Sequence, residues 1–277
     1  MKESPNKAVN RSGGWRICVF QAGYRRPVTL IVRQQSTSQM SFEPESNQSC
    51  SDVLHAADND RSNGQFAASL EKFEWFFENS RYERGMGGVR LSFALGYWME
   101  LASVYPPAMT AFLALRDRTE RRCRNSRGEF KAFHELSALN RYLDNDDRTI
   151  DLFLEIARTN QDAAKSIYHV AEPLLVERGL YEECGPFLEI DHTVATNISA
   201  FRIGKVHEES FAGHVDAPSP LAEEMFREKI VRLVALLAIS NRLTDAQVVM
   251  DRATAELESV DFRSELMAAL SGHLPER

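Results

Sequence analysis

From residue 51 onward, apolar positions recur three and four apart, the spacing of one face of a helix, and short polar breaks interrupt them at regular intervals. The pattern predicts helices over 51–61, 65–80, 88–104, 107–124, 129–143, 146–159, 161–177, 180–189, 191–206, 220–240, 243–259 and 262–272. The breaks carry the residues that end helices. Asn63 and Gly64 separate the first pair, and Gly85, Gly87 and Gly88 loosen the second connection. Pro106 and Pro107 stop one helix and start the next, because proline suits a first helical turn and disfavours helix in the residue before it. Asn145-Asp146 and Arg178-Gly179 close two more. Connections this short imply antiparallel neighbours, so the expected fold class is all-α, an array of antiparallel helix pairs.

Two stretches depart from the pattern. Residues 207–219 hold Gly213, Pro218 and few apolar positions, and read as a loop or hinge. Residues 1–48 read as an extension outside the fold, where 28–32 is the clearest strand-like run in the chain. The expected organisation is therefore an N-terminal extension (1–48), a helical array (49–206), a loop or hinge (207–219) and a C-terminal helical hairpin packing on the array (220–275).

Within the array a frame recurs. Gly64 precedes Phe66 by two residues, with the small Ser69 and then Phe73 following. Leu95-Gly96 is followed by Tyr105, Ala108 and Phe112. Gly179, Tyr181, Cys184 and Leu188 repeat the arrangement, as do Leu243, Ala246, Met250 and Ala253, and a weaker copy spans 140–156. A small residue near the middle of each helix lets the partner backbone approach, and large residues on either side fill the gap. This frame resembles the tetratricopeptide (TPR) repeat, a unit of about 34 residues in two helices. The copies are degenerate: their turns fall near 64, 103, 147, 179 and 241, so the spacing varies between 32 and 62. The resemblance implies a TPR-like α-α superhelix whose concave face binds a peptide or partner protein. A non-repetitive helical bundle would show the same amphipathic helices.

On that reading the groove is lined by 88–104, 129–143 and 161–177, and the candidate partner contacts are Arg90, Tyr97, Asn140 and Tyr168. Residues 89–101 are the most apolar and aromatic of the chain. Tyr97 and Trp98 point in adjacent directions on a helix, so one can face the core and the other the groove. Arg90 could clamp a carboxylate with two hydrogen bonds or pair with a neighbouring acid.

Charge sharpens the picture. The chain of 277 residues carries −7 overall, but residues 1–41 hold seven bases and one acid, which leaves −13 on the remainder. An acidic folded part argues against nucleic-acid binding by the whole surface. The Arg-rich start resembles an organellar transit segment; a start at Met40 is the favoured alternative. Against the acidic background, residues 116–131 set seven bases against three acids, and Arg121, Arg122 and Arg124 are candidates for an anion or RNA-phosphate patch. A solvated helix end, where bases complement the helix dipole, explains the same run.

Catalytic chemistry is hard to find. Cys18, Cys50, Cys123 and Cys184 are widely spaced, which argues against a disulfide framework or zinc knuckle and fits a reducing, cytoplasmic setting. Asp147 and Asp151 share a helix face and could hold Mg2+, or could simply belong to a helix start beside a turn. His207 and His214 lack a third ligand in sequence. The glycines at 85–88 lack the Lys-Ser/Thr of a phosphate loop. No apolar run reaches the length of a membrane span. The expected function is a non-catalytic protein- or peptide-binding module, a scaffold or adaptor without cofactor or resident metal. An all-helical enzyme with an acidic Mg2+ face and an RNA-binding patch are the alternatives.

Overall fold

The computed structural model describes residues 42–211 and 221–274, all within one compact unit, Met40–Arg277. Among the described residues there are twelve α-helices and no strand. In chain order they are α1 (Cys50–Ser62), α2 (Phe66–Asn79), α3 (Met86–Leu91), α4 (Phe93–Val104), α5 (Pro106–Asn125), α6 (Phe130–Tyr142), α7 (Asp146–Thr159), α8 (Gln161–Glu177), α9 (Ile190–Phe211), α10 (Ala222–Ile239), α11 (Leu243–Glu256) and α12 (Val260–Leu270). Short 3-10 turns at Ser80–Tyr82 and Glu182–Phe187 link α2 to α3 and α8 to α9.

The helix ends follow from local chemistry. Ser49 and Asp52 form a reciprocal cap on α1: the Ser49 hydroxyl accepts the Asp52 N–H at 3.2 Å, and the Asp52 carboxylate accepts the Ser49 N–H at 3.0 Å. Asn160 caps α8 by accepting the Ala163 N–H at 3.2 Å, and Ser259 caps α12 by accepting the Phe262 N–H at 3.3 Å. α5 opens on Pro106 and Pro107, as the sequence predicts.

Three expected elements differ. The helix expected over 88–104 is two helices, broken at Ser92. The Ser92 hydroxyl donates to the Gly88 carbonyl at 2.8 Å, and its own carbonyl accepts the Tyr142 hydroxyl at 2.7 Å, so the residue is held in a non-helical conformation. The helix expected over 180–189 is the 3-10 turn Glu182–Phe187, which contains Pro186. The loop expected from 207 begins later. His207 to Phe211 contain no helix breaker and continue α9, while 212–219, with His214, lie outside the described residues.

Two apolar cores fill the interior. The first joins α1, α2, α4, α5 and part of α6 through Val53, Phe73, Phe76, Leu95, Trp98, Phe112 and Leu139. Trp98 is its centre: its ring packs against Phe73, Phe77 and Phe112, and its indole N–H donates to the Ala108 carbonyl at 3.1 Å. The second core runs from Cys123 through Phe133, Phe153, Ile167 and Phe201 to Val234 and Phe262, so it includes residues on both sides of 207–219. α6 belongs to both cores, giving Ala138 and Leu139 to the first and Ala132, Phe133 and Leu136 to the second. Most sequence neighbours pack on one another, from α3 through α8 and again from α9 through α12. A second set of contacts joins alternate helices: α4 and α3 touch α6, α6 touches α8, and the Glu182–Phe187 turn bridges α8 to α10. That row positions the candidate site.

Candidate binding face

The row formed by α3, α6, α8 and α10 carries two clefts. The first, about 340 Å3, lies between α3 and α6 and is lined by Arg81, Arg90, Arg122, Lys131, His134 and Glu135, with Tyr82, Glu129 and Phe130 at its edge. The second, about 500 Å3, lies between α8, α10 and the start of α9, and includes Tyr168, His169, Glu172, His192, Lys229 and Arg232. They meet at an aromatic stack. The Phe130 ring lies 5.1 Å from that of His169 and 5.5 Å from that of His134, centroid to centroid, and Phe130 remains 37% exposed. A half-open aromatic ring between two polar clefts is the kind of anchor that buries much area at low entropy cost.

The floor of the first cleft is an ion-pair hub. Glu135 is buried, and its two carboxylate oxygens take different arginines, Arg90 at 2.8 Å and Arg122. Burial alone would raise the Glu135 pKa. Arg90 and Arg122 outweigh that penalty and hold the carboxyl below the ordinary carboxylate range. Arg90 is fixed on its other sides, since Nε donates to the Phe77 carbonyl at 2.7 Å and the guanidinium lies 3.7 Å from the Phe77 ring centre. Arg90 Nη2 and Arg81 Nε remain buried donors without a hydrogen-bond partner. Desolvation lowers the His134 pKa, and His169 and Arg141 lower it further.

The second cleft mixes signs. Desolvation raises the Glu172 pKa against the pull of Arg232 and Lys229. Tyr168 is 7% exposed, and burial drives its phenol pKa far upward; beside it the Cys184 thiol is pushed up to about 11, again by burial. Both groups are neutral at physiological pH, so neither is a poised nucleophile. Lys165 and Glu189 pair across the rim. A larger depression of about 600 Å3 between α9, α10 and α12 is lined by acids, but its main charges are already engaged. Glu208 accepts the Ala222 N–H at 2.7 Å, and Arg227 holds Glu265 at 2.6 Å.

The residues singled out from sequence separate on this map. Arg90 and Arg122 come together on Glu135 in the first cleft, and Tyr168 lines the second. Tyr97 is half-buried against the first core and lines neither cleft, while its neighbour Trp98 is fully interior. Asn140 is buried between α6 and α7, where its amide donates to the Thr149 hydroxyl at 3.0 Å. The basic run 116–131 is dispersed by its pairing: Arg116 bonds Asp117 at 2.6 Å, Arg122 turns to α6, and Arg124 bonds Glu120 at 3.2 Å and also reaches Glu155 on α7. Arg121 is exposed. Asp147 pairs with Arg178 at 2.8 Å and Asp151 is exposed; among the described residues no group of three or more His, Cys, Asp or Glu is placed to hold a metal. No helix among the described residues is long and apolar enough to cross a membrane.

Sequence reasoning missed Arg81, Phe130, Lys131, His134, Glu135, Glu172, Lys229 and Arg232. Phe130 and Lys131 lay inside the basic run, and the one signal for Glu135 was an acid among the buried positions of an amphipathic helix. No protein-family model matches this chain, and neither a curated protein nor a solved structure does.

Proposed function

We propose that this chain is a TPR-like binding module that takes an extended protein segment along the row of α3, α6, α8 and α10. One observation carries the reading: Phe130 stands half-exposed where two charged clefts meet, with its ring stacked on His169 from the next helix of the row. An extended segment needs an apolar anchor flanked by polar positions at chain spacing, and the two clefts supply the flanks. The supporting wall is rigid because α6 is packed into both cores. The groups beneath it are paired or neutral rather than activated, which favours binding over catalysis.

The Mg2+-dependent reading has no comparable support, since Asp147 is already held by Arg178. Selection of random peptides on the full chain, repeated on a Phe130→Asp variant with unchanged melting behaviour, tests the proposal. Peptides selected on the parent protein should lose about tenfold or more in affinity on the variant, the range expected for an anchor residue. Equal binding to both proteins would overturn the reading.

A further inference from the structure

We propose that the α3–α6 cleft is a phosphate-monoester site, so that the bound segment carries a phosphorylated side chain into it. The inference rests on the binding face described above and names what one of its clefts recognises. Two independent observations point to an oxyanion. First, four cationic side chains, Arg81, Arg90, Arg122 and Lys131, line the cleft against two carboxylates, Glu129 and Glu135; Glu78, outside the lining, neutralises Arg81 at 2.7 Å, which leaves one positive charge in excess. The excess occurs in a folded part that is otherwise acidic. Second, two of those cations hold a buried donor with no partner, Arg90 Nη2 and Arg81 Nε. Buried donors are paired almost everywhere in folded proteins; both atoms are screened from solvent, so an acceptor from outside the chain reaches them as the two side chains shift toward the cleft.

The number of acceptor oxygens selects among oxyanions. A carboxylate offers two acceptor oxygens, whereas a phosphate monoester offers three, together with nearly two negative charges at neutral pH. The internal carboxylates do not fill the role. Glu135 is consumed by Arg90 and Arg122, and Glu78 takes only one terminal nitrogen of Arg81, at 2.7 Å. Lys131 is exposed and forms no ion pair within the described residues. The guanidinium fork suits phosphate because it donates in parallel from two nitrogens, and lysine adds a point charge at the rim. A volume of about 340 Å3 holds the phosphate together with the side chain that carries it. Tyr82 (84% exposed) and Phe130 at the edge supply apolar cover for the flanking residues.

Titration calorimetry on the full chain with phenyl phosphate, inorganic phosphate and benzoate tests the site. Both phosphates should bind, and benzoate, of similar shape but singly charged, should bind about tenfold more weakly or worse. Lys131→Gln and Arg81→Gln, which leave the Arg90–Glu135–Arg122 hub in place, should each weaken phenyl phosphate about tenfold, whereas Lys205→Gln should not. Absence of phosphate binding at millimolar concentration, insensitivity to both variants, or equal affinity for benzoate would overturn the proposal. An octa-uridylate that binds with a log–log salt slope of several, rather than the slope near one of a single phosphate contact, would replace it with a nucleic-acid track. If phosphate fails while selected peptides still depend on Phe130, the phosphate site falls and the binding face stands.

Discussion

Arg90 Nη1 lies 2.8 Å from a Glu135 carboxylate oxygen, with the two side chains only 4% and 8% exposed. The pair joins α3 to α6 beneath the first cleft and ties the linker after α2 to the helix shared by both cores. Removing one partner of such a pair leaves an uncompensated buried charge, which costs about 3–5 kcal/mol. Glu135→Gln should therefore lower the urea midpoint sharply. Replacing both members together, Arg90→Met with Glu135→Leu, should recover most of the loss, because well-packed apolar residues often match a buried ion pair. Equilibrium unfolding of the single and double variants checks the coupling.

The same hub sets part of the acid sensitivity. Arg90 and Arg122 hold the Glu135 pKa in the folded chain below its unfolded value despite burial. The hub's contribution is therefore fully present above the unfolded carboxylate pKa and is lost as pH falls through the lower folded one. Glu172 acts in the opposite sense. Burial raises its pKa, so its protonated form favours folding, and that contribution fades as pH rises through the folded pKa. Thermal melts from pH 3 to 8 should show a shallower acid limb in the Arg90→Met/Glu135→Leu variant than in the parent. In Glu172→Gln the stability should change least at the acid end and rise relative to the parent toward neutral pH.

Gly128 shapes the approach to Phe130. Its φ is +90°, and a Cβ there would meet Ile156 Cδ1 at 3.0 Å and Cγ2 at 3.1 Å, so the Ile156 side chain would have to give way. Gly128→Ala thus combines left-handed strain with overpacking and should destabilise the fold by about 1–3 kcal/mol. It should also weaken binding of any peptide that uses Phe130, two residues on. Urea unfolding, together with peptide affinity measured where the variant remains folded, checks both effects.

Much of the helical plan is legible in the sequence, because Pro106, Gly64, Asn145 and Gly179 interrupt a strong apolar period. The Ser92 break is not, since one of the two hydrogen bonds that hold it comes from the Tyr142 hydroxyl fifty residues away. Ser69, Ala108, Cys184, Ala246 and Ala253 are all buried, as small residues at the contacts of any packed helices are, and the nearest atoms to a Cβ on Gly96 would be those of the Tyr142 side chain. The site was harder to read. Arg90 was visible as a candidate, but its partner Glu135 lies 45 positions along the chain, and only packing decides which bases of the 116–131 run meet acids. Asn140, a groove candidate by helix position, satisfies α7 instead. Periodicity tells which face of a helix is apolar, not which polar residue on its margin finds a partner.

On the proposed function, the α3–α6–α8–α10 row receives the partner segment. Hydrogen exchange of the full chain, with and without a saturating peptide selected on it, maps where that segment lies. Exchange should slow over 81–91, 129–135 and 165–172, and should not do so in the Phe130→Asp variant. Protection confined to α1 and α2 or to α11 and α12, or unchanged by that substitution, would contradict the proposal.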